Sequence, residues 1–200
     1  MIDKVFRIFR EKGGILKALD LWDWYEGLDP KDQKRIKHYF SLKSIKDLRF
    51  PLRAKHFDGG EVQNPGYTKA TFLGTLAQTA LLEGQYQDAE WLYVKALELT
   101  EDAYEKHLIL NDLLLLSQKL KDFERMERYA LMDLNLFQEY KERLREKNGG
   151  SLPQISSYEL MVYILERNGE REKALELLEK FHIEGVPHPF YEEVKKRLQG

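Results

Sequence analysis

Between positions 84 and 99 the chain reads GQYQDAEWLYVKALEL, and that stretch leaves few folds open. Gly84 follows an apolar run from Ala70 to Leu82, at the place where a helix would end. Glycine tolerates the positive φ that a helix C-terminus often needs. Beyond it, Ala89, Tyr93 and Ala96 recur at i, i+4 and i+7, which is one helical face. Two alanines on that face let a neighbouring backbone come close, and the Tyr93 ring fills the gap between them. Leu73, Leu76, Ala77 and Ala80 make a matching stripe on the preceding segment. Two such helices, joined by about three residues, form an antiparallel hairpin.

Ala77, Gly84, Tyr86, Ala89, Tyr93 and Ala96, at these spacings, resemble the tetratricopeptide repeat: small residue, glycine, aromatic, alanine, aromatic, alanine. The unit covers residues 70–103 and departs from the family at two places. Leu73 stands where the first helix has an aromatic, and Glu101 where the family has a closing proline. A repeat of this kind cannot bury both faces alone, so the resemblance implies neighbours. It implies an all-α fold of antiparallel helical hairpins stacked as a right-handed superhelix.

Two more hairpins are expected, over residues 107–146 and 155–182. His107 to Leu120 is apolar almost all round, which predicts a helix buried on several sides, interrupted by Asn111 and Asp112. Phe123 lies 37 residues after Tyr86, with Met126 and Asp133 where Ala89 and Ala96 stood, so this repeat is degenerate. Its second helix could reach Glu146, a length of roughly 36 Å. In the third unit, Tyr158, Met161, Ile164 and Leu165 stripe the first helix. Gly169 makes the turn, and Ala174, Leu178 and Phe181 stripe the second. A final helix over 189–199, with Phe190, Val194 and Leu198 on one side, has the charged outer surface of a terminal cap.

Residues 1–50 read as a divergent helical module. Val5, Ile8 and Phe9 predict a short helix up to Glu11, which Gly13-Gly14 breaks. Leu16, Leu19, Trp22 and Tyr25 predict a helix over 15–26. Asp29-Pro30 is a start signal, an N-cap with proline at the first helical position, for a helix to about Phe40. Ser44 is expected to cap a further short helix holding Ile45 and Leu48. Residues 51–66 have no period and read as an irregular loop before the repeat domain, 67–200. Loops of that length are usually functional or mobile.

Composition excludes several function classes. There is no cysteine, hence no disulfide and no thiolate metal site. No apolar run approaches the roughly 18 residues of a membrane span, so no membrane role and a cytoplasmic location are expected. No phosphate-binding glycine loop, HExxH pair or nucleophile elbow occurs. His56 and Asp58 beside Gly59-Gly60, and His182 and His188 beside two prolines, lack the third and fourth ligands of a metal centre. His38 and His107 read as ordinary helix histidines. No enzyme, metal or cofactor is expected.

What remains is binding. In proteins that this chain resembles, the first helix of each hairpin lines a concave groove that holds a peptide. By position, the resemblance puts Gly74, Gln78 and Leu81 there from the first unit, Asn111, Leu115 and Gln118 from the second, and Glu159, Tyr163 and Glu166 from the third. The set has no basic residue, so it does not imply the carboxylate clamp of the family's chaperone-binding members. The expected role is a non-catalytic adaptor or scaffold for a protein or peptide partner, with homo-oligomerisation left open. Trp91 and Val94 lie off the Ala89/Tyr93 face and read as packing between hairpins or an exposed anchor.

The alternative is nucleic acid or phosphate. Residues 31–56 hold nine Lys and Arg against two Asp, in a chain whose net charge is −2. Lys34, Arg35, Lys37, Lys43, Lys46, Arg49, Arg53 and Lys55 would form that surface, with Tyr39, Phe40 and Phe50 as stacking candidates. The competing expectation is that these charges complement acidic residues of the same molecule.

Overall fold

The computed structural model describes residues 12–200, and the regular structure among them is helical throughout, with no strand. The helix expected before Glu11 lies outside the described residues. The chain divides into two compact units, one ending at Leu99 and one spanning Thr100–Gly200. The first repeat hairpin thus belongs with the N-terminal module and not with the later hairpins.

In the first unit, α1 (Gly14–Ala18) and α2 (Trp22–Glu26) replace the single helix expected over 15–26. The break is at Asp20, whose φ of 52° is left-handed. That turn lets Leu16, Leu19 and Leu21 all reach the core. The next helix, α3, runs Pro30–Lys46, past the expected stop at Phe40, with the Asp29 side chain accepting the Lys31 N–H at its start. Ser44 does not cap a new helix. It is buried inside α3 and donates to the Ser41 carbonyl, leaving Ile45 and Leu48 exposed.

The loop after α3 is anchored. Phe50, Leu52 and Phe57 are buried, and Ala54–His56 forms one 3₁₀ turn. Its far end docks on the start of α1: the Gly14 N–H donates to the Gly60 carbonyl at 2.8 Å. Gly14 has φ +66°, and a Cβ there would lie 2.5 Å from the His56 carbonyl oxygen. Only glycine fits that approach.

The hairpin follows as α4 (Lys69–Leu82) and α5 (Tyr86–Glu98). Thr68 and Thr71 cap α4 reciprocally. Gly84, at φ +73°, makes the turn, and the Gln85 N–H returns to the Ala80 carbonyl. Leu73, Leu76, Ala77 and Ala80 on one helix and Ala89, Tyr93 and Ala96 on the other are all fully buried. Each large side chain so placed contributes about 1.5–3 kcal/mol.

The second unit contains α6 (Ala103–Leu120), α7 (Phe123–Lys147), α8 (Ser156–Arg167), α9 (Arg171–Ile183) and α10 (Tyr191–Gln199). Asp102 and Asp122 cap α6 and α7 by accepting the Glu105 and Arg125 N–H groups. The turn between those helices places Lys121, and not a glycine, at φ 56°. The extra length of α7 supports the C-terminal hairpin. Phe137, Tyr140 and Leu144 share a core with Tyr158, Leu178, Phe181, Val194 and Leu198. Lys141 adds an ion pair to Glu184 at 2.7 Å. Phe190, expected on the buried side of the cap, is 59% exposed, because α10 begins only at Tyr191.

Candidate functional site

On α6, Leu108, Asn111, Leu115 and Gln118 follow at i, i+3, i+7 and i+10, one helical face. That face is open. Leu115 is 60% exposed and Leu108 45%, while α6 is buried on its other sides, as its composition suggested. The buried sides are taken by Ile109, Leu110, Leu113, Leu114 and Leu116. On α8, Ser156, Glu159, Tyr163 and Glu166 repeat the same spacing, with Tyr163 52% exposed.

The two helices meet at a cavity of about 100 Å³, lined by His107, Asn111, Leu114, Leu115 and Gln118 of α6 and by Gln154, Ile155 and Ser156 at the start of α8. Three side-chain amides and a hydroxyl line it, against three aliphatic groups. It has room for about three waters, or for one small group of a larger ligand.

Beneath the cavity lies a buried polar network. The Asp133 carboxylate is fully enclosed. One of its oxygens lies 2.8 Å from His107 Nδ1. The other accepts the Ser157 hydroxyl at 2.5 Å and the Tyr140 hydroxyl at 3.3 Å. Burial, and then the Asp133 charge, push the Tyr140 hydroxyl well above its ordinary pKa, which keeps it a donor. The His107 ring stacks on Tyr140 with centroids 4.1 Å apart. Its other nitrogen, Nε2, is 3.1 Å from the Asn111 side-chain amide. The order of groups is not that of a nucleophile triad, because the serine hydroxyl is given to the carboxylate and not to the imidazole.

Sequence reasoning placed Asn111, Leu115 and Gln118 together, and the structure brings them to one cavity. Tyr163 shares the α8 face with the cavity's Ser156. Glu159 is half-buried, with one carboxylate oxygen enclosed and without a hydrogen bond. Glu166 is held by Arg197 of α10, Nη2 to Oε2 2.8 Å, which draws its carboxyl below the usual glutamate range. Gln78 and Leu81 are on α4, in the other unit, exposed and half-buried respectively. Sequence reasoning missed the network. The available signal was Asp133 at a position where the first repeat has a core alanine.

Half of the basic residues singled out in this segment pair with acids of their own unit. Arg35 bonds Asp88 at 3.0 Å and lies 4.7 Å from the Trp91 ring centroid, so Trp91 is half-buried within the unit. Lys37 pairs with Asp58, Lys43 with Asp47 and Lys46 with Glu83. Tyr39, Phe40 and Phe50 are buried and therefore present no stacking surface. Lys34, Arg49, Arg53 and Lys55 are exposed. His56 Nδ1 accepts the Arg53 N–H, and among the described residues no three His, Asp or Glu side chains group as metal ligands. No helix among the described residues is long and apolar enough to cross a membrane.

No family model matches the chain, and no solved structure matches it. It is similar to an uncharacterized protein of Aquifex aeolicus, 60% identical over 198 residues that span 99% of this chain and 98% of that one.

Proposed function

The chain belongs to one family with the Aquifex aeolicus protein, and from that premise we propose that it is a non-catalytic interaction module, an adaptor or scaffold of the tetratricopeptide-repeat kind. In this reading its hairpins are units of a right-handed superhelical stack, and an extended protein segment docks along α6 and α8. One observation carries the proposal. Leu115 and Tyr163, on the first helices of successive hairpins, are more than half exposed, and side-chain amides line the cavity that Leu115 borders. Exposed apolar anchors next to fixed polar groups suit a segment that offers aliphatic side chains between main-chain amides. Glu166, already paired with Arg197, contributes no charge to that segment.

An array of capped 12-residue peptides tests this. The full chain should retain peptides rich in Leu, Ile or Met. The double variant Asn111→Ala, Tyr163→Ala should lose them while staying folded, its stability lowered by about 1–3 kcal/mol through the unpaired His107 nitrogen. Equal retention by the double variant would remove the reading.

A further inference from the structure

The network under the cavity has a polarity, and that polarity reaches the cavity wall. Asp133 takes three hydrogen bonds on its two oxygens, from Ser157, Tyr140 and His107. A carboxylate only accepts, so the His107 Nδ1 carries a hydrogen. In a neutral imidazole the other nitrogen, Nε2, is then an acceptor. Its neighbour at 3.1 Å is the Asn111 side-chain amide, which must turn its NH₂ toward the ring. An asparagine is ordinarily free to present either end. Here one end is chosen. Asn111 lines the cavity, so its second N–H and its carbonyl oxygen are what an incoming group meets, side by side and in a fixed order.

We infer that Asp133 and His107 are positioning residues that lock the Asn111 amide in one of its two orientations, so that the cavity recognises an uncharged peptide-type amide and rejects ions. An extended peptide residue turns its own N–H and its own C=O to one edge, side by side, the complement of what Asn111 presents. A carboxylate offers two acceptors and a guanidinium only donors, so each leaves one Asn111 group opposed by a like group. Gln118, Gln154 and Ser156 complete a wall of neutral dipoles. No fixed positive charge stands there for a carboxylate, and burying an ion among dipoles without a counter-charge is costly. The chain of contacts is continuous from Asp133 to Asn111, and three of its members, Asp133, His107 and Ser157, are at least 96% enclosed. Water therefore does not compete for the Asp133–His107 bond that fixes the ring. The inference rests on the docking reading above and adds the chemistry of what docks.

The test uses the full chain and three probes: N-acetyl-leucine-N-methylamide, acetate and guanidinium. Histidine ¹⁵N spectra of the free protein come first. The expected signature at pH 7 is an Nδ1-protonated His107 with Nε2 unprotonated; an Nε2–H tautomer would overturn the inference without any variant. In titrations, the capped leucine should shift the Asn111 side-chain amide and signals of residues 107–118 and 154–156 saturably, and the two ions should not. Asn111→Leu, at a half-exposed position that leaves the Asp133 bonds intact, should weaken the capped leucine roughly thirtyfold, the loss of two hydrogen bonds. Binding at the same place with undiminished affinity in Asn111→Leu, or equal binding of acetate or guanidinium, overturns the amide selection and leaves the docking reading standing. Absence of binding by all three probes overturns both.

Discussion

The imidazole of His107 and the carboxylate of Asp133 lie 2.8 Å apart, and neither is open to solvent. They come from different helices, 26 residues apart in sequence, and hold α6 against α7. Removing one member strands the other. Asp133→Ala leaves the His107, Ser157 and Tyr140 donors without an acceptor and should cost the second unit about 3–5 kcal/mol. Chemical denaturation followed by a probe in residues 100–200 measures this. A loss below about 1 kcal/mol would show that the network is not a fixed part of the fold.

Two backbone positions give opposite expectations. Gly14 sits at φ +66° with the His56 and Phe57 backbone within 2.7 Å of any added Cβ. Gly14→Ala should therefore destabilise the first unit by more than about 1 kcal/mol. Lys121 occupies the left-handed region at the end of α6 with no compensating feature of its side chain. Lys121→Gly should stabilise the second unit by about 0.5–1 kcal/mol, since glycine is the residue such caps favour. Unfolding curves of both variants check the signs.

How α10 holds on should depend on pH. The Arg197 guanidinium beside Glu166 lowers that carboxyl below its ordinary value of 4.5. A lowered folded pKa means the contribution is present above the unfolded value and is lost as pH falls through the folded one. Both groups are partly solvated, so the contribution is small, about 0.2–1 kcal/mol. Arg197→Met should lower the melting temperature slightly at pH 7, and the difference from the unmodified chain should vanish in acid, below pH 4.5. A difference that persists at low pH would assign Arg197 a packing role alone.

Much of this architecture was legible in the sequence. Gly84 and the Ala89/Tyr93/Ala96 face give the hairpin because a period of about 3.6 residues and a glycine stop are local signals. Asp29-Pro30 marked the start of α3 for the same reason. The failures were non-local. Nothing near Asp20 announces a left-handed turn; the break follows from the need to bury Leu19 and Leu21. On α6 the exposure of Leu108 was hidden by its neighbouring leucines, since composition does not say which of them find partners. The Asp133 network required knowing that α6, α7 and α8 converge, and only Asp133 itself, a charge in a core register, hinted at it.

The exposed lysines and arginines of residues 31–56 give the competing account a clear test. With Arg35, Lys37, Lys43 and Lys46 paired internally, single-stranded oligonucleotides should bind weakly or not at all at physiological salt. Tight binding whose logarithm falls steeply with the logarithm of salt concentration would instead assign function to Lys34, Arg49, Arg53 and Lys55.

The central claim is that a protein segment lies along α6 and α8, and chemical-shift mapping with the best peptide from the array tests it most directly. Saturable shifts should concentrate on residues 107–118 and 154–166 and disappear in the Asn111→Ala, Tyr163→Ala chain. Shifts that gather on residues 31–56, or that persist unchanged in the double variant, would contradict it.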